Sequence, residues 1–144
     1  MRDIVTAVIN EVRLLNNRLI ELVDDLHHDT GISAPQRAVL EFIHRDGPAT
    51  VPTIARTRGV TRQHIQTISN ELRALNLIEP LKNPAHQRSP LMTLTESGRE
   101  TIERMLLREG EHLAGSVSDL DENRLLSAVQ TLADLRHALS KEPH

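Results

Sequence analysis

The sequence predicts a mainly α fold with a small β-hairpin wing, a winged helix-turn-helix flanked by N- and C-terminal helices. Three observations carry that prediction. Apolar residues recur at helical spacing over both ends of the chain, two short helix patterns meet at Gly59-Val60-Thr61, and two short strand patterns follow, joined by a basic turn.

From about Asp3 to His28, Val5, Val8, Val12, Leu15, Leu19, Leu22 and Leu26 fall at alternating spacings of three and four, the stripe of one long amphipathic helix. Ile4, Ile9, Ile20 and Val23 widen the stripe, so this helix is expected to meet more than one neighbour. Thr30-Gly31 stops it. Ser33-Ala34-Pro35-Gln36 then supplies a cap, a first-turn proline and a Gln at capping-box spacing for a second helix carrying Val39, Leu40, Phe42 and Ile43, which Asp46-Gly47-Pro48 ends.

Thr50 can cap a third, short helix that buries Ile54 and Ala55 and closes at Gly59, and Thr61 can cap a fourth. Ile65, Ile68, Leu72 and Leu75 give that fourth helix an inward stripe, which turns Arg62, Gln63, Gln66, Thr67 and Asn70 outward. Asn76 stands where a left-handed residue ends a helix. Leu77–Leu81 and Leu91–Leu94 are strand candidates around Lys82-Asn83-Pro84-Ala85-His86-Gln87-Arg88-Ser89-Pro90, with Pro80 and Pro90 suiting short or edge strands. Ile102, Met105, Leu106 and Leu113 mark a fifth helix that weakens at Ala114-Gly115-Ser116, and Leu125, Val129, Leu132 and Leu139 mark a sixth.

Charge divides the chain unevenly. Thr50 to Thr95 holds Arg56, Arg58, Arg62, Arg73, Lys82 and Arg88 against Glu71 and Glu79, a net +4, which leaves −7 for the rest of a chain whose total is −3. Phosphates respond to such local clustering rather than to net charge. A helix of this size fits the major groove of duplex DNA while a hairpin reaches the backbone or minor groove. The candidate DNA-binding residues are therefore Arg56, Arg58, Thr61, Arg62, Gln63, Gln66, Thr67, Asn70, Lys82, His86 and Arg88. Arg suits guanine and Gln suits adenine.

Composition narrows the alternatives. With Phe42 as the only aromatic residue, base-stacking single-strand and RNA platforms are disfavoured. With no Cys there is no disulfide framework, thiolate nucleophile or Cys-type zinc site, and a cytoplasmic location is the expectation. The N-terminus has the pattern of neither a signal peptide nor a membrane span. No phosphate-cradling Gly loop or catalytic arrangement of Ser, His and Asp is found, so no enzyme and no cofactor are expected.

The run Leu75-Asn76-Leu77-Ile78-Glu79, then Asn83-Pro84-Ala85-His86-Gln87-Arg88, and the closing Leu94-Thr95-Glu96-Ser97-Gly98-Arg99 resemble the MarR family of bacterial transcriptional regulators. The resemblance covers nearly the whole chain. Its most specific part is the wing, where the family has Asp-x-Arg, five residues, Leu-Thr and a Gly in the next turn. Arg88, Leu94-Thr95 and Gly98 stand at those positions, but His86 takes the place of the Asp that in the family holds the wing Arg. Arg88 is thus expected to be less pre-oriented, and a protonated His86 could itself approach phosphate.

The resemblance implies a homodimer, in most members a repressor, with residues 33–95 binding DNA and residues 1–32 and 96–144 forming the helical dimerisation region. The excess apolar stripe of the terminal helices points the same way, and a two-fold protein matches a pseudo-palindromic operator with half-sites about 34 Å apart. It also implies a small aromatic acid effector between the dimer helices and the winged region, bordered by Arg13, Asn17, His27, His28, Arg37 and His44. Some relatives sense zinc. Glu41 with His44, and Glu109 with His112, share helical faces, but that spacing alone is a weak signal and no metal is expected. The alternative is a winged-helix module that binds another protein and has no DNA affinity.

Overall fold

A computed structural model describes residues 1–81 and 88–140. Among them the order is α1 (Arg2–Leu26), α2 (Ala34–Asp46), α3 (Val51–Arg58), α4 (Arg62–Ala74), β1 (Ile78–Leu81), β2 (Leu91–Leu94), α5 (Glu96–Ser116) and α6 (Glu122–Leu139). The predicted fold class, mainly helical with one antiparallel hairpin, is the one observed.

Each predicted cap is made. Ser33 and Gln36 exchange the two bonds of a capping box at α2, with Pro35 in the first turn. The hydroxyls of Thr50 and Thr61 accept from the backbone N–H groups of Thr53 and His64, satisfying donors that a helix start leaves free. Gly59 ends α3 with a left-handed φ of 70°, and Asn76 follows α4 with φ 59°.

These helices and the hairpin enclose one core, built from Val39, Leu40 and Phe42 of α2, Ile54 of α3, Ile65, Ile68 and Leu72 of α4, Ile78 and Met92 of the strands, and Ile102 and Met105 of α5. Leu75 departs from its expected inward position: it is 50% exposed, because it lies at the C-cap, beyond the last regular turn that points the stripe at the core. Leu113, expected to mark the buried face of α5, is likewise exposed.

The strands pair antiparallel with Ile78 opposite Leu94 and Pro80 opposite Met92. Pro80 costs no ladder bond there. The N–H and C=O of Met92 point the other way, to Ala49, with Ala49 N to Met92 O at 3.1 Å and Met92 N to Ala49 O at 2.8 Å. An N–H on residue 80 would face away from β2, in keeping with proline on an edge strand. The Ala49 bridge has no counterpart in the sequence pattern, since a single residue between two helices carries no strand periodicity.

By packing the chain divides into Met1–Glu109 and Gly110–His144. Within the first unit, α1 is fastened by its C-terminal end, where Leu22, Val23 and Leu26 are half-buried and His27 is buried, while Ile4, Val12, Leu15 and Leu19 stay exposed. In the second unit α6 has no buried residue and exposes Leu125, Leu126, Val129, Leu132 and Leu139. None of the described helices is long and apolar enough to cross a membrane.

Candidate nucleic-acid interface

The outer surface of α4 is arranged in two adjacent stripes. Gln63, Gln66, Thr67 and Asn70 lie at i, i+3, i+4 and i+7 and are all exposed, opposite the buried Ile65, Ile68 and Leu72. Beside them, Arg62, Gln66, Ser69 and Arg73 run at i, i+4, i+7 and i+11 along a cleft of about 490 Å³ whose other wall carries Arg88. The fold therefore brings Arg62, Gln63, Gln66 and Arg88 to one cleft.

Sequence reasoning did not single out two residues of that cleft. Arg73 is the third guanidinium there, and its spacing from Arg62 and Gln66 was the available signal. Ser69, only 1% exposed, completes the inward stripe with Ile65, Ile68 and Leu72, and its hydroxyl has no hydrogen-bond partner among the described residues.

Arg56 and Arg58 sit in the last turn of α3, exposed, and Thr61 is the α4 cap. Among the described residues none of Arg56, Arg58, Arg62, Arg73 and Arg88 forms an ion pair, so their charge is not cancelled locally. Glu71, one of the two acids of the basic segment, accepts from Gln36 Nε2 at 2.9 Å. Lys82 and His86 lie outside the described residues.

Two of the six residues proposed to border an effector meet at a carboxylate. Glu109 of α5 receives Arg37 Nε at 2.9 and 3.0 Å, Arg37 Nη2 at 2.6 Å and the buried His27 Nε2 at 2.9 Å. Burial opposes the charge of Glu109, but the bonds from Arg37 and His27 outweigh it and hold the carboxyl below its usual range. Burial likewise disfavours the Arg37 cation, yet Glu109 and Glu41 raise its pKa further. Arg13 and Asn17 are exposed on α1, His28 contacts Asp25 O, and His44 lies 3.4 Å from Glu103. Glu109 as the shared partner had no local sequence signal, being 72 and 82 residues from Arg37 and His27. Among the described residues no group of three or more His, Asp or Glu side chains is placed to hold a metal ion.

Groove-sized helix, capped turn and paired hairpin on one core define a winged helix-turn-helix protein. The sequence model of the MarR family matches residues 30–89, and the resemblance to that family holds. Uncharacterized proteins of Mycobacterium tuberculosis and Mycobacterium bovis are 47% identical over 58 residues, 40% of this chain and 41% of theirs. The chain spans about two fifths of the length of those curated relatives.

Among solved structures, a MarR family transcription regulator is 25% identical, with a TM-score of 0.83 over 96% of this chain and 92% of that one. A Staphylococcus aureus MarR solved with salicylate and kanamycin has 18% identity and a TM-score of 0.85 over 97% and 95% of the two chains. S. aureus MepR, solved bound to DNA, has 20% identity and a TM-score of 0.78 over 91% and 96%. The chain thus has the fold of MarR family transcription regulators.

Proposed function

We propose that this protein is a sequence-specific duplex-DNA-binding transcriptional regulator of the MarR type, acting as a homodimeric repressor. The observation that carries the reading is the cleft between α4 and the hairpin. It gathers Arg62, Arg73 and Arg88, unpaired among the described residues, beside an exposed row of Gln63, Gln66, Thr67 and Asn70. Guanidinium groups neutralise phosphates, and amides at the outer face of a groove-sized helix pair with base edges. The DNA-bound neighbour of like fold supports the same use of these elements.

Residues 33–95 form the DNA-binding region in this reading, and residues 1–32 and 96–144 the dimerisation region. The exposed apolar rows of α1 and of α6 support the second assignment, since each leaves large aliphatic side chains in water on its own. A dimer presents two copies of α4 to successive major grooves of a pseudo-palindrome. A small aromatic acid is the proposed effector class, in keeping with the salicylate-bound neighbour, with Arg13, Asn17, His27, His28, Arg37 and His44 as the residues proposed to border it.

The test is a mobility shift with purified protein and duplex from the region upstream of its own coding sequence, repeated at rising salt. A retarded complex whose affinity falls steeply with salt is expected. Migration of the duplex unaltered by the protein at every salt concentration would overturn the reading.

A further inference from the structure

Two side chains on the exposed row of α4 have their polar groups already committed. Thr67 Oγ1 donates to Gln63 O at 3.0 Å, so its one hydroxyl hydrogen is spent on the helix backbone. The exposed part of Thr67 that remains is an acceptor lone pair and the Cγ2 methyl. It cannot donate to guanine N7 or O6 without giving up that bond. Contact with the thymine 5-methyl needs no hydrogen and is open to it.

Gln66 Nε2 donates to Asn70 Oδ1 at 3.0 Å, one turn along. This bond takes one amide hydrogen and restrains a long side chain that would otherwise lose rotamer freedom on binding. The second Nε2 hydrogen and Oε1 remain, a donor and an acceptor that match adenine N7 and N6. Asn70 is in this arrangement a positioning residue, acting on the base through Gln66.

We infer that α4 selects an adenine and a thymine within each half-site, Gln66 reading the adenine edge under the restraint of Asn70 and Thr67 reading thymine through its methyl group. The inference rests on the DNA-binding reading above.

The experiment selects bound half-sites from random duplexes with the full chain, then replaces each selected thymine singly by deoxyuridine, which removes only the 5-methyl. At one position the wild type is expected to bind deoxyuridine about fourfold more weakly, the factor carried by one buried methyl-sized group. Thr67→Ser should bind both duplexes alike, and Thr67→Val should keep the preference. Asn70→Ala should relax the adenine preference set by Gln66 with no change in salt slope. Equal affinity for thymine and deoxyuridine at every position, or discrimination persisting in Thr67→Ser, overturns this inference while leaving salt-dependent DNA binding intact. Absence of salt-dependent binding to every duplex overturns both.

Discussion

A Cβ added to Gly98 would lie 1.9 Å from the carbonyl oxygen of Leu77 and 2.9 Å from its carbonyl carbon. The first turn of α5 therefore rests on main chain at the base of the hairpin. Thr95 fastens the same joint: its N–H donates to Leu77 O at 3.1 Å, and its hydroxyl donates to Asn76 O at 2.7 Å while accepting from Gly98 N at 2.9 Å.

Gly98→Ala should be strongly destabilising. The obstructing atom is backbone, which cannot rotate aside like a side-chain tip, so the cost should reach at least the ~1–3 kcal/mol typical of overpacking. A thermal melt reads it; a midpoint unchanged from wild type would show that the joint yields without cost.

Glu109 gives the fold a dependence on acid. Its folded pKa lies below the ordinary 4.5, so its stabilising contribution is complete above 4.5 and lost as pH falls through the lower folded value. Glu109→Gln should therefore lose stability at neutral pH, by roughly 1.5–3 kcal/mol for its charged hydrogen bonds, and show a shallower decline in acid. Denaturant titrations of both proteins across the range from neutral pH down to the acid limb provide the comparison, and parallel curves would argue against the linkage.

Arg88→Ala should weaken binding to all duplexes by a similar factor, since a phosphate contact carries no sequence information. The slope of log affinity against log salt should flatten by about 0.9 for each phosphate that Arg88 neutralises in the wild type. An unchanged slope would remove Arg88 from the groups that bind the DNA backbone.

Leu15→Glu and Leu19→Glu together should yield monomers. Both residues are exposed on α1 in the single chain, so the substitutions leave its own core untouched while placing charge in the proposed subunit interface. Light scattering at micromolar concentration should give twice the chain mass for wild type and the chain mass for the variant; a monomeric wild type would remove the dimer.

The local elements were legible in the sequence because their signals are local. Ser33 with Gln36, Thr50, Thr61, Gly59 and Asn76 each act on backbone groups within a few residues, and all perform the capping or turning role their identity suggests. The outward row Gln63, Gln66, Thr67 and Asn70 followed from the inward spacing of Ile65, Ile68 and Leu72. What escaped was the meeting of distant segments. Arg37 and His27 finding Glu109, the Ala49 bridge to Met92, and Ser69 buried beside Arg73 depend on how elements pack, for which one sequence offers no periodic trace.

The two bonds between Ala49 and Met92 have a mechanical meaning. They tie the linker leaving α2 to β2 on the side away from β1, as one isolated antiparallel bridge beside the two-stranded sheet. A displacement of the linker at Ala49 would therefore reach β2 directly through these two bonds.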